Sequence, residues 1–177
     1  MAINVEIGQQ VAVSVATQQI EYLRKQYGLA TDLIGSKMPE SIEEGRAIYR
    51  AIFAPEVKIS ASNGGDGPTF DAVGPDAWVD VVVHALQPFA VTQHLIGTQL
   101  VTIDSLPNSE GMGGSASMVS YVQAWHADPG GVVDIFIGTY QDQVAFTLHS
   151  GWQITEMRLE KVSGHTLSTN QLVSGYP

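Results

Sequence analysis

The chain keeps its two kinds of hydrophobic periodicity apart, and this separation limits the folds open to it. Between Thr17 and Ile34 the apolar residues Ile20, Leu23, Tyr27, Ala30 and Ile34 recur three and four positions apart, the spacing of one helical face. From Val91 onward the pattern is different: long runs rich in β-branched and aromatic residues are broken only by clusters of turn formers. These are Pro107-Asn108-Ser109-Glu110-Gly111, Asp128-Pro129-Gly130-Gly131 and His149-Ser150-Gly151. Helices first and antiparallel strands afterwards predict an α+β fold, with helices on one face of a curved sheet. Doubly wound α/β folds, which alternate the two, are excluded.

Three helices are expected. The first begins near Ser14 or Thr17 and stops at Gly35. The second runs from about Ser41 to Phe53, with Ser41 and Glu44 spaced as a capping box and Pro55 ending it. The third starts at Pro75, where the first turn tolerates proline, and shows Trp78, Val82, Ala85, Leu86 and Phe89 as its stripe. Strands are expected over Val57–Ser62, Thr69–Val73, Val91–Asp104, Ser115–His126, Val132–His149 and Trp152–Val162, with a turn at Asn63–Pro68. Residues 1–13 read as a loosely held arm or short strand, and 164–177 as a polar tail. The whole of 1–177 is then one domain with a core over about 14–163.

Hydrophobic residues make up 44% of the chain, a globular and not a disordered composition. Eight basic against 18 acidic residues give a net charge of −10, and no basic stripe occurs, so nucleic acid and anionic membrane surfaces are not expected partners. With no cysteine, disulfides, thiolate metal sites and cysteine nucleophiles are excluded. The first sixteen residues lack the basic start of a signal peptide, and no apolar run reaches the ~18 residues of a membrane helix. A cytoplasmic protein is expected.

Three stretches resemble the SnoaL-like, scytalone-dehydratase-like branch of the nuclear-transport-factor-2-like superfamily. Thr92-Gln93-His94-Leu95-Ile96-Gly97 opens a strand directly after the third helix. Ser120-Tyr121-Val122-Gln123-Ala124-Trp125-His126 ends the next strand. Gly138-Thr139-Tyr140-Gln141-Asp142 and Gly151-Trp152-Gln153-Ile154 resemble the family's paired final strands. Tyr27-Gly28-Leu29-Ala30-Thr31-Asp32 resembles the end of its first helix, so the likeness covers roughly residues 17–162. It implies a cone of helices on a curved sheet, with His94, His126 and Asp32 facing a pocket. The sequence departs from scytalone dehydratase where Thr31 replaces a pocket tyrosine and where a second tyrosine position falls near Ala61 or Ser62, which puts scytalone itself in doubt as substrate.

The resemblance implies a cofactor-independent lyase (dehydration, another elimination or retro-aldol cleavage) or an isomerase for a small hydrophobic, aromatic or polyketide-like compound. His94 would be the general base or acid, Asp32 would orient it, and His126 would protonate a leaving group or bind a substrate oxygen. Tyr27, Thr31, Trp125 and Tyr140 would shape the pocket. Histidine suits such work because it titrates near neutrality, and an adjacent carboxylate fixes its tautomer. No cofactor and no metal are implied, and a homo-oligomer, dimer or trimer, would join through the outer sheet face.

The residues alone leave alternatives open. His94 is equally readable as a core histidine bonded to a carbonyl, His126 as an exposed rim residue, Tyr140 as plain core and Asp142 as a subunit contact. On an ideal helical wheel Asp32 lies about 160° from the apolar stripe, which predicts a solvent-facing side chain. Trp78 and Trp152 read as core, and His84, His149 and His165 as exposed. Two non-enzymatic functions share the cone: a binding module for a hydrophobic ligand, and a structural subunit like the small subunit of ring-hydroxylating dioxygenases.

Overall fold

The computed structural model describes residues 2–62, 64 and 70–168, with side chains from Glu6 onward. The expected turn at Asn63–Pro68, Gly64 apart, and the tail after Ser168 lie outside the described residues. The element order is α1 (Ala2–Gly35), α2 (Pro39–Ile52), β1 (Phe53–Ser62), β2 (Phe70–Val73), α3 (Pro75–Leu86), β3 (Val91–Ser105), β4 (Ser115–Ala127), β5 (Val132–Thr147) and β6 (Gly151–Ser168). Among the described residues, three helices thus pack on one mixed, mostly antiparallel six-stranded sheet, as expected.

α1 corrects the sequence reading at its start. Residues 2–13 are helical and not an arm, although the side chains from Glu6 to Val15 are all exposed and burial begins at Ala16. The reason is cooperativity: nucleating a helix is costly and extending it is cheap, so the anchored part carries the helix onward through Val11, Val13 and Val15 despite their weak propensity. α2 starts two residues before the expected Ser41, with Pro39 in its first turn, and its N-cap Met38 makes no side-chain capping bond. The Ser41–Glu44 box therefore does not cap it, because both residues lie inside the helix. β1 begins at Phe53, ahead of Pro55, and the proline falls where the pairing of β1 with β6 shifts register between Phe53 and Lys58.

The strand order is β2-β1-β6-β5-β4-β3, with β1 parallel to β6 and every other pair antiparallel. β6 is longer than expected: Ser163–Ser168 continue it, pairing with β5 as far as Val132. The inner sheet face and the helices enclose a core of Ile20, Leu23, Tyr49, Phe53, Val57, Val79, Met118, Val144, Ile154 and Met157. An aromatic group sits at its centre: Tyr27 stacks on Tyr49 at 5.2 Å and meets Tyr140 edge-on at 5.4 Å. The Gln153 side-chain amide donates to the carbonyls of Ala51 and Phe53, tying the α2–β1 junction to β6. Among the described residues no helix is long and apolar enough to cross a membrane.

Candidate active site

α1 lies close along β3 because it presents glycine there. A Cβ on Gly28 would sit 3.2 Å from the Ile96 side chain, and one on Gly35 would sit 2.5 Å from Thr92 Oγ1. Gly28, Asp32 and Gly35 share one helical face, so the close approach delivers Asp32 to the start of β3. The expectation of a solvent-facing Asp32 fails for this reason: the apolar stripe marks one covered side of α1, and a stripe of glycine and aspartate marks another.

The Asp32 carboxylate accepts three hydrogen bonds or their equivalents from β3. Thr92 Oγ1 donates to Oδ1 at 3.1 Å, the His94 backbone N–H donates to Oδ2 at 3.0 Å, and His94 Nδ1 lies 2.8 Å from Oδ1. The side chains are 8% (His94) and 26% (Asp32) exposed. β4 brings His126 alongside, its ring 5.4 Å from that of His94 and 4.9 Å from Phe89. Burial, and then the neighbouring His94, push the His126 pKa down to about 4. Its Nε2 is buried with no partner among the described residues.

His94 and His126 line one end of a cavity of about 650 Å³ whose wall is largely apolar, including Phe70, Trp78, Val82, Leu86, Phe136 and Leu159. Asp32, expected to face the pocket, is not among the lining residues and reaches it only through His94. Tyr27, Thr31 and Tyr140 line it too, and so do Ala61 and Ser62. Thr31 Oγ1 donates to the Tyr27 carbonyl and shares a 2.7 Å hydrogen bond with Tyr49 Oη, while Trp78 Nε1 donates to Tyr27 Oη. Burial holds the Tyr49 and Tyr140 hydroxyls well above the ordinary phenol range, so both stay protonated.

Trp125 is a correction. Along β4 the even positions Met118, Ser120, Val122 and Ala124 face the core, so Trp125 points to the other face and is not among the cavity-lining residues. Asp142, read as a possible subunit contact, is sealed inside in an ion pair with Arg24. The Arg24 guanidinium lies 3.9 Å from the Tyr140 ring centre and 4.6 Å from that of Tyr27. Arg24 went unread because a charged residue beside a helical apolar stripe normally faces water. Trp78, read as core, is buried but also lines the cavity, and His165 is exposed at its mouth. Lys161 was also missed; the alternation Met157, Leu159, Lys161 was the available signal.

The model of a SnoaL-like domain matches residues 44–158. No curated protein matches the chain. Among solved structures, a candidate scytalone dehydratase from Novosphingobium aromaticivorans DSM 12444 is 21% identical with a TM-score of 0.63, over 94% of this chain and 99% of that one. A hexachlorocyclohexane dehydrochlorinase, LinA type 3 from Novosphingobium barchaimii LL02, is 10% identical with a TM-score of 0.71, over 94% and 99%. The β subunit of a candidate aromatic-ring-hydroxylating dioxygenase from N. aromaticivorans is 16% identical with a TM-score of 0.61, over 85% and 92%. At these identities the likenesses speak for the fold alone.

Proposed function

This chain belongs to the family of SnoaL-like domains, and from that premise we propose that it is a cofactor-independent lyase, or an isomerase working by the same proton transfers, on a small hydrophobic, aromatic or polyketide-like compound. The carrying observation is the 2.8 Å contact of His94 Nδ1 with Asp32 at the end of a cavity that side chains leave unfilled. A carboxylate can only accept, so Nδ1 carries the proton and the lone pair of the neutral ring lies on Nε2. That nitrogen is the base for a carbon acid, and Asp32 stabilises the imidazolium that forms.

His126 takes the second of its two possible roles. With a pKa of about 4 it is neutral near pH 7, and a proton on His94 would hold it there. It therefore acts as a neutral hydrogen-bonding group for a substrate or leaving oxygen, not as an imidazolium donor. Its unpartnered Nε2 supports this reading. Tyr27, Thr31 and Tyr140 bound the space the substrate fills. The open, histidine-bearing cavity favours catalysis over a purely structural subunit, which would need neither.

The same reading includes a cytoplasmic location and a homo-oligomer joined through the outer sheet face. Leu95, Leu100, Val119 and Tyr121, exposed on that face, support the second.

The test needs no knowledge of the natural substrate. Exchange of the α-hydrogens of 2-tetralone in D₂O, followed by NMR, should be accelerated by the protein, and His94→Ala should lose about 10²–10⁴-fold of that acceleration. Equal exchange by the two proteins would remove His94 from the chemistry.

A further inference from the structure

The wall facing the histidines carries a charge that the acid–base reading does not use. Lys161, on β6, lines the cavity and is half-buried, and its ammonium lies 5.8 Å from the Phe136 ring centre. Its stem folds back over Gly164: a Cβ there would meet Lys161 Cε at 2.9 Å and Nζ at 3.2 Å. The register fixes the height. His94 pairs with Ala124, Ala124 with Phe136, and Phe136 with Gly164. The ammonium is thus level with the His94 imidazole, three strand spacings away, roughly 14 Å along the sheet and less across its curve.

No carboxylate among the described residues is within ion-pair distance of Lys161. Asp134, which shares the cavity mouth, accepts from Thr166 Oγ1 at 2.6 Å. A lysine that only snorkelled to water would lay its stem on an apolar surface and send its head outward. Here the head stays over Phe136 and Gly164 at the cavity wall. In a chain of net charge −10, an anionic ligand needs a local cation to enter.

We propose that Lys161 is a specificity-determining residue that binds a carboxylate on the substrate, so that the substrate class is a flat, apolar acid. Its reacting carbon meets His94 and its carboxylate meets Lys161 on the opposite wall. A monoanion suits a single ammonium; a phosphate dianion calls for the several donors of an arginine or lysine cluster. The inference rests on reading this cavity as the substrate site. It does not depend on His94 being the base.

Binding of 2-naphthoate and of its neutral analogue 2-naphthamide, measured by titration calorimetry at pH 7, tests it. The wild-type protein should bind the acid about tenfold or more tightly than the amide, the scale of one charge-assisted hydrogen bond. Lys161→Met should erase the preference by weakening the acid and leaving the amide unchanged, and Lys161→Arg should keep it. Lys161→Gln is the alternative neutral variant if methionine impairs folding. His94→Ala should leave the preference in place, which separates failure of this inference from failure of the acid–base reading. Equal affinities in the wild type, no binding of the acid, or a preference that survives loss of the lysine charge would each overturn it.

Discussion

Two polar clusters sit on the inner side of the same sheet and have opposite characters. Arg24 and Asp142 are sealed, both side chains 0% exposed, and form an ion pair under the rings of Tyr27 and Tyr140. His94 and His126 border a cavity, with Asp32 bonded to His94, and these side chains are not fully sealed. Burial opposes charge in both places. In the sealed pair the guanidinium cannot give up its proton, and Asp142 offsets the burial, so Arg24 is held even more firmly protonated than usual. Burial drives the Asp142 carboxyl upward and Arg24 opposes it. At the cavity the group that yields is His126, which goes neutral. The lesson is that burial acts differently on the two: a closed pair of fixed charges keeps its charge because each partner offsets the other's burial, while a histidine half-buried beside a cavity and another histidine gives its charge up.

The largest expected effect breaks the sealed pair. Arg24→Met strands the Asp142 carboxylate and should cost about 3–5 kcal/mol in urea unfolding, whereas Arg24→Met with Asp142→Leu should recover most of it, because a buried pair replaced by apolar groups is often neutral. If the double variant stays as unstable as the single one, the guanidinium contacts with Tyr27 and Tyr140 carry the stability instead.

Next comes the histidine. Unfolded, His126 takes up a proton near 6.5; folded, only near 4. Between those values the unfolded chain binds the extra proton, so this group contributes nothing above about pH 6.5 and destabilises the fold increasingly as the pH falls to 4. By linkage the loss is at most about 3 kcal/mol. His126→Gln should remove that part of the acid sensitivity, measured as the difference in unfolding free energy between pH 7 and pH 4. An unchanged difference would mean that the ring protonates freely in the folded protein.

The smallest effect sharpens the contrast from outside. Asp76 bonds Arg50 at 2.9 and 3.0 Å and Arg46 at 3.3 Å in the open, and the Arg50 hydrogen bond, with Arg46 adding to it, holds its pKa below the usual carboxylate range. Asp76→Asn should cost less than about 1 kcal/mol and nothing measurable at high salt. A larger cost would place this exposed cluster with the buried one.

Much of this molecule was legible before any coordinates. Helical spacing between Ile20 and Ile34, and turn formers at 107–111, 128–131 and 149–151, locate α1 and the last four strands to within a few residues at most ends. The main errors fell where local signals are weak. Extension of α1 to Ala2 depends on cooperativity, and Ser163–Ser168 join the sheet because β5 offers them partners. The residues around His94 and His126 pointed to a pocket, and both side chains line the cavity. Asp32 looked misplaced on the wheel because glycine contact with β3 is invisible to hydrophobic periodicity. Trp125 was drawn in by its position next to His126, although strand alternation turns neighbours to opposite faces.

Sequence by itself determined the fold class, because periodicities of 3.6 and 2 decide which faces must be buried, and those are local properties of the chain. Only the tertiary structure decided which polar groups meet. Arg24 and Asp142 are 118 residues apart, and Asp32 and His94 are 62 apart. Their encounters depend on strand order, on the glycines that let α1 approach β3, and on the burial around them, none of which is written in any short stretch of residues.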